Sequence, residues 1–395
     1  MRTLILGVDG GNSKTDVVVA NLEGDLFDRV RGPGNNAHAV GAEATVAFLG
    51  GLVERHLADA PASRGVFYLC GVDIPSDRAT LAAALEREPW VERATVDNDV
   101  FALLRAGTDA GDAVAVVCGA GINCAGRSSA GGVARYPSLG WETGDWGGSV
   151  LLGREVLFHA ARAEDGRGEP TALRDIVAGH FGLSVPEVGE AVRYGRIPAT
   201  RLGELAPAVV AAAEAGDPVA HQLVDRLAEE VVLMAVRALA DLELAGATIL
   251  LGGGMLRGGA GLLYDEVVAR LAERAPAAKP IAVTAPPVLG AALDALDAAG
   301  APVAAITRLR AAVCRASETT SPTTKRTGDS SSIAAAAISS RGAMTTCCSG
   351  SVPLAIAAAG VAGARPHAIN SFAISPSALP AMKNTSVPGV RASAA

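Results

Sequence analysis

Three glycine turns hold the residues of this chain whose types and spacing could do chemistry. The first is Asp9-Gly10-Gly11-Asn12-Ser13-Lys14-Thr15, directly after the apolar run at residues 4–8. Gly10 and Gly11 lack a Cβ, so the backbone there can approach a ligand closely. Successive backbone N–H groups in such a turn can cradle phosphate oxygens. Asn12, Ser13 and Thr15 add short side-chain donors, and Lys14 adds a positive charge. Asp9, at the strand end, could hold a Mg²⁺ ion through water, because Mg²⁺ keeps much of its hydration. The second turn is Cys118-Gly119-Ala120-Gly121, and the third is Gly252-Gly253-Gly254-Met255, whose backbone could lie against adenine or ribose. Any one of these turns would equally serve a tight hairpin or a strand-to-helix connection. The recurrence of a strand–glycine turn–strand unit favours phosphate binding. The chain contains neither GxxxxGK[ST] nor a GxGxxG opening a helix after the first strand, which excludes the P-loop and the dinucleotide fingerprint.

The elements that must position these turns follow from hydrophobic periodicity. Strands are predicted over residues 4–8, 16–21 and 26–31, with a hairpin turn at Glu23-Gly24-Asp25. A helix follows over 39–57, then strand 66–72, helix 78–88, strand 94–96 and helix 100–106. After the turn-rich break at 107–111 the pattern restarts with strands 113–118 and 123–126. Helices are predicted at 147–163, 171–182, 185–194, 200–215 and 219–242. Strand 247–251, helix 262–275, strand 281–284 and helix 288–299 complete the series. The repeated unit predicts two α/β lobes, 1–110 and 111–306, facing each other across a cleft, with helix 288–299 packing back toward the first lobe.

Charge divides the chain unevenly. The 395 residues carry 34 Lys and Arg against 41 Asp and Glu, a net charge of −7. Residues 307–395 hold nine of those bases and two of the acids, Glu318 and Asp329, which leaves 25 bases and 39 acids in 1–306. This tail is rich in Ser, Thr, Ala and Pro and lacks sustained periodicity, so it is predicted to be a low-complexity, disordered arm. Its abrupt composition and the adjacent Cys347-Cys348 also suit a read-through or shifted reading frame. The acidic balance of 1–306 argues against general nucleic-acid binding. No apolar run reaches the ~18 residues of a membrane-spanning helix, and the start lacks the pattern of a secretory signal. Six cysteines (Cys70, Cys118, Cys124, Cys314, Cys347, Cys348) without paired-motif spacing suit a reducing, cytoplasmic compartment.

The order DGGNSKT, Asn98-Asp99, CGAG, GDWGG and LGGGM resembles the actin/hexokinase/heat-shock chaperone ATPase superfamily. Within it, the sequence over about residues 3–300 is similar to the BadF/BadG/BcrA/BcrD ATPase family, whose sugar-kinase members include N-acetylglucosamine kinases. The resemblance implies a two-lobed actin-like (ribonuclease H-like) α/β fold binding ATP and Mg²⁺. It implies an ATP-dependent kinase of an amino sugar, N-acetylglucosamine first, phosphorylated at the 6-hydroxyl, and by analogy a homodimer. Asp9 to Thr15 and Gly119-Ala120-Gly121 would be the two phosphate loops, with Asp9 near Mg²⁺. Ala120 stands where the family often has Thr, so a hydroxyl that could touch a phosphate is missing. Gly252, Gly253, Gly254 and Met255 would contact adenosine, and Gly290-Ala291 would fall on the last helix.

Asp99 matches the family's catalytic aspartate and also suits the N-cap of the following helix. Strand alternation should turn Asp97 away from it. On the sugar side the resemblance implies Asn36, Gly71, Asp99, Trp141 and Asp145. Cys70-Gly71 stands where acetylglucosamine kinases have Ser-Gly. His38 reads equally as a helix-start residue, Asp145 as a cap for the helix at Gly147, and Trp141 or Trp146 as core. Two further readings remain. One is an activator ATPase of the same family, which holds an iron–sulfur cluster through cysteines at a dimer interface. The other is a non-enzymatic sugar sensor of related fold.

Overall fold

The computed structural model describes residues 3–57 and 60–319. β1 (Leu4–Gly10) is buried along its whole length. It pairs antiparallel with β2 (Lys14–Asn21), which pairs antiparallel with β3 (Leu26–Pro33). On its other edge β1 pairs parallel with β4 (Ala62–Leu69), and β4 with β5 (Ala94–Asn98). The sheet order is therefore β3-β2-β1-β4-β5. A second sheet repeats it: β6 (Ala113–Cys118), β7 (Ile122–Arg127), β8 (Val133–Arg135), β9 (Thr248–Gly252) and β10 (Lys279–Ala282) run in the order β10-β9-β6-β7-β8. Again the first three strands are antiparallel and the last two join in parallel. Two mixed five-stranded sheets of one topology, each opening on a glycine turn between its first two strands, make the actin-like arrangement.

The helices of the first half are α1 (Ala37–Val40), α2 (Ala42–Val53), α3 (Pro75–Leu85) and α4 (Val100–Gly107). Between β8 and β9 come α5 (Gly148–Glu164), α6 (Leu173–Phe181), α7 (Val185–Arg193), α8 (Ala206–Glu214) and α9 (Pro218–Asp241). α10 (Leu262–Arg274), α11 (Val288–Ala298) and α12 (Val303–Thr319) follow. α2 and α3 cover the face of the first sheet that carries Leu4, Leu6 and Val8. α11 covers the opposite face, where Ile5, Val18 and Val66 lie. α4 packs on the second sheet through Val100, Leu103 and Leu104 against Ala113, Ala115 and Leu250. α4 and α11 also pack on each other, and the contact has no room for a side chain. A Cβ on Gly290 would stand 2.1 Å from the Ala102 carbonyl oxygen; α11 lies as closely on β1, where a Cβ on Gly7 would stand 2.3 Å from the Ala292 nitrogen.

The expected end of the folded part near Ile306, with an irregular tail from residue 307, is corrected. α12 continues the ordered chain to Thr319, so α11 is not the last helix. Ala305, Leu309 and Val313 recur at helical spacing and are buried against α11 and the first sheet. Arg310 donates to the Ala106 carbonyl oxygen at 2.9 Å and to Asp109 at 2.7 Å, which ties α12 to the end of α4. Three apolar positions in an Ala- and Arg-rich segment were too sparse to read without the surface that receives them. The remainder of the tail, with Cys347 and Cys348, lies outside the described residues. Among those residues no helix is long and apolar enough to cross a membrane.

A chain ended after Ile306 should be less stable than one ended after Thr319. Losing buried Leu309 and Val313 costs roughly 2–5 kcal/mol. Thermal denaturation of the two truncations checks this: equal midpoints would mean that α12 contributes nothing.

Candidate active site

A cavity of about 650 Å³ opens between the ends of the strands of the two sheets. From the first sheet it is lined by Asp9, Gly11, Asn12, Ser13 and Lys14, by Asn36 and His38, by Cys70, Gly71 and Asp73, and by Asn98 and Asp99. From the second it is lined by Gly119, Ala120, Gly121 and Asn123, by Ser138, Leu139 and Glu142, and by Gly253, Gly254 and Arg257. Leu103, Val117, Val283, Ala285 and Pro287 form an apolar stretch of wall. Residues from both halves of the chain thus meet around one space, because both glycine turns follow the first strand of equivalent sheets. The backbone amides of Asn12, Ser13, Ala120 and Gly121 donate to no carbonyl oxygen among the described residues. They are available to an anion.

Asp99 occupies the N-cap position of α4, yet its carboxylate accepts no capping hydrogen bond. Asn98 does that work. Its Oδ1 accepts from the Val100 amide at 3.0 Å and from Asn123 Nδ2 at 3.0 Å, while its Nδ2 donates to Asp73 at 2.8 Å. Capping by Asn98 leaves the Asp99 carboxylate to the cavity. It also links β5 to β7 across the two sheets. Burial pushes the Asp99 carboxyl up to about 7, and the charges of Asp9 and Asp73 push the same way, against hydrogen bonds from the backbone amides of Asp99 and Val100. Asp9, 8 % exposed, is likewise pushed up to about 7 by burial, against the pull of Lys14. Asp73 is raised to about 6, by burial first and then by Asp77, with the Asn98 hydrogen bond opposing. Asp97 points elsewhere, to Arg135 at 2.5 Å and Arg78 at 3.7 Å.

Lys14 does not extend alone into the cavity. Its ammonium pairs with buried Asp16, which also accepts from Arg31 Nε at 2.7 Å and Nη2 at 3.0 Å. Two expected members of this turn lie beneath it. Thr15 is fully buried, and a Cβ on Gly10 would stand 2.7 Å from Leu69 Cδ2. At the third turn Gly252 is a packing glycine under Leu103, and Met255 packs on the second-lobe core, its amide donating to the Cys118 carbonyl oxygen at 3.0 Å. None of these four lines the cavity, because the turn presents only its outermost residues.

Asn36 caps α1 by accepting from the Ala39 amide at 3.1 Å and donates to Asn12 Oδ1 at 2.9 Å, which ties its loop to the first glycine turn. Gly71 has φ +75°, and a Cβ there would stand 2.4 Å from Asn36 Oδ1, so it admits that loop. Three expectations on the sugar side are corrected. Trp141 is 68 % exposed and lies off the cavity wall, which its neighbours Leu139 and Glu142 reach instead. Asp145 accepts from Thr143 Oγ1 at 2.5 Å and does not line the cavity, although its charge reaches Asp73. The cap of α5 is Gly147, not Asp145. Trp146 is core, with Arg226 over its ring at 4.1 Å.

Sequence reasoning gave no role to Asp73, Asn123, Ser138 or Arg257. Asp73 lies in the loop two residues past Gly71, and Asn123 at the start of β7 two residues past Gly121, and that nearness is the only local signal. Nothing local marks Ser138 or Arg257. As to a metal, no three His, Cys, Asp or Glu side chains converge among the described residues. Asp9, one hard oxygen donor beside unpaired amides, fits a Mg²⁺ that arrives on phosphates and keeps its waters.

The profile of the BadF/BadG/BcrA/BcrD ATPase family matches residues 6–295. The chain belongs to this family. It is 25% identical over 324 residues to an N-acetyl-D-glucosamine kinase of Dictyostelium discoideum, covering 75% of this chain and 98% of that protein. It is also 25% identical over 272 residues to an N-acetylmuramic acid/N-acetylglucosamine kinase of Clostridium acetobutylicum, covering 66% of this chain and 88% of the relative. Among solved structures, a protein of Chromobacterium violaceum assigned provisionally as an N-acetylglucosamine kinase superposes with a TM-score of 0.60 at 22% identity, over 74% of this chain and 98% of that one. A ROK family glucokinase of Streptomyces griseus, in complex with glucose and AMPPNP, gives 0.52 at 17% identity, over 74% and 99%. Both share the BadF-family chain's actin-like fold.

The cavity carboxylates set a stability trade-off. A carboxyl raised to about 7 in the folded state favours folding while protonated. Its contribution is complete below the unfolded value near 4 and is lost as pH rises through about 7. Asp99→Asn should therefore stabilise the ligand-free protein at pH 8, by roughly 1–3 kcal/mol, with the gain fading toward pH 5. Melting curves across that range check it; a destabilised variant at pH 8 would contradict the burial of this charge.

Proposed function

We propose that this BadF-family protein is an ATP-dependent sugar kinase, with an amino sugar, N-acetylglucosamine first, as acceptor at its 6-hydroxyl. One observation carries the reading: a carboxylate released from helix capping faces the same cavity as two glycine turns with unpaired amides. The family description supplies the ATPase chemistry, and the two curated relatives, both kinases of N-acetylated amino sugars, support the acceptor.

The polyphosphate lies between the turn at Gly11, Asn12 and Ser13 and the turn at Gly119, Ala120 and Gly121, where the unpaired amides of Asn12, Ser13, Ala120 and Gly121 donate to its oxygens. The base lies against the apolar wall of Leu103, Val283 and Pro287. Asp9 would hold, through water, a Mg²⁺ carried on the nucleotide, and such an ion would supply charge to neutralise the phosphates. Asn36 and Asp73 offer hydrogen bonds to sugar hydroxyls. Asp99 accepts the proton of the attacking hydroxyl as that oxygen bonds to the γ-phosphorus; the bond to the β–γ bridging oxygen breaks and ADP leaves. Such transfer depends mainly on positioning and charge, and a base adds ~10²–10⁴-fold. Lobe closure would exclude water and limit wasteful hydrolysis.

The activator reading finds no support in the cysteines. Cys118 and Cys124 are buried core side chains, Cys70 lines the cavity and donates to the Asn35 carbonyl oxygen at 3.1 Å, and burial raises all three thiols.

The test is ADP release from Mg·ATP across N-acetylglucosamine, glucosamine, N-acetylmuramic acid and glucose. Sugar-dependent release that falls ~10²–10⁴-fold in Asp99→Asn, with ATP still bound, is the expected result. Release independent of every sugar would sink the kinase reading. In the wild type, kcat/KM should fall as pH drops below about 7, the limb belonging to the coupled Asp9–Asp99 pair. A rate flat from pH 8 to 5 would remove Asp99 as base.

A further inference from the structure

The charges around the cavity are poorly matched to a polyanion. Four carboxylates line it, Asp9, Asp73, Asp99 and Glu142, against two permanent cations, Lys14 and Arg257. Lys14 is already paired with Asp16, and Arg31 completes that cluster. The first phosphate turn, taken with Asp9, is therefore close to electrically neutral. Arg257 alone of the two has no ion pair or hydrogen bond among the described residues.

Its place is fixed by the turn that carries it. Leu256, 1% exposed, is buried in the second-lobe core and donates through its amide to the Gly253 carbonyl oxygen at 3.3 Å. Arg257 follows that anchor directly and faces the cavity. The Gly254 amide lies 3.9 Å from where a Cβ of Gly119 would stand, so this turn abuts the second phosphate turn. On its other flank, the Val283 amide donates to the Leu251 carbonyl oxygen at 2.9 Å, which brings the apolar wall beside β9. Arg257 thus leaves a turn flanked by the apolar wall and the second phosphate turn and lines the cavity there, where on the kinase reading the phosphates nearest the ribose would pass.

We propose that Arg257 binds those phosphates, as the nucleotide-specific cation of the site. The inference rests on the kinase reading for the presence of a nucleotide, but assigns a residue that neither the motifs nor the family resemblance singled out. A guanidinium presents a planar fork of donors to phosphate, which an ammonium does not. The long side chain, anchored only at its backbone, can follow the nucleotide as it enters.

The experiment measures binding of adenosine, Mg·ADP and Mg·ATP by calorimetry to the full chain, wild type and Arg257→Ala, with Arg257→Lys as a conservative control. Expected is a loss of roughly ten- to one-hundred-fold for both phosphorylated ligands in Arg257→Ala. Adenosine affinity and the melting temperature should stay unchanged, and Lys should restore part of the loss. In steady-state assays KM for ATP should rise while KM for the sugar holds. Equal loss for adenosine and ADP would overturn the proposal in favour of a turn-shaping role, and unchanged ADP affinity would overturn it outright. A wild type that binds no nucleotide would overturn the kinase reading and this proposal together. Nucleotide-binding wild type without sugar turnover would sink the kinase reading alone.

Discussion

The contact between α4 and α11 is the constraint on which the rest of the architecture depends. Gly290 against the Ala102 carbonyl lets α11 meet α4 backbone to backbone, and Gly7 of β1 against Ala292 lets α11 lie as closely on the first sheet, with no space for an added methyl group at either place. Because α4 packs on the second sheet and α11 on the first, this contact sets the distance between the sheets. Interiors at native density do not stretch, so the spacing is transmitted to the strand ends. The cavity lies there, and α12 reinforces the seam from outside through Arg310.

That spacing brings carboxylates together in a place that disfavours their ionisation. Asp9 and Asp99 stand at the ends of β1 and β5, and burial raises both toward neutrality. A chain selected only for stability would not retain them. Asn98 makes the arrangement possible by accepting from the Val100 amide and bonding to Asn123 and Asp73, so that the neighbouring carboxylate makes no capping hydrogen bond and faces the cavity. A base matched to neutral pH is what proton transfer from a hydroxyl needs.

The same cavity must accept a strongly anionic nucleotide although its lining is net acidic. Backbone amides serve this purpose well, because they donate without adding charge that the cavity would have to balance when empty. Lys14, neutralised within its cluster with Asp16 and Arg31, contributes geometry more than net attraction. The position of Arg257 on the opposite wall is then the natural complement.

Much of this was legible in the chain itself. Glycine-rich turns after apolar runs, Gly10-Gly11 and Gly119-Ala120-Gly121, determined two strand–turn–strand units, because glycine permits a close backbone approach. The family motifs singled out Asp9, Asp99 and the phosphate turns, and these line one space. Local sequence could not separate the residues on the surface of a turn from those beneath it. Gly10, Thr15, Gly252 and Met255 belong to the same motifs as their neighbours and face the core. Nor could it tell which of two adjacent residues caps α4, or that exposed Trp141 stands off while Glu142 reaches in. The expected end of the folded part fell short for a related reason: α12 is stabilised by a surface built from α11 and from the first sheet, whose strands lie far away in sequence. Spacing and residue type determined the chemistry available, while the direction of each side chain was decided by long-range packing, which no local pattern encodes.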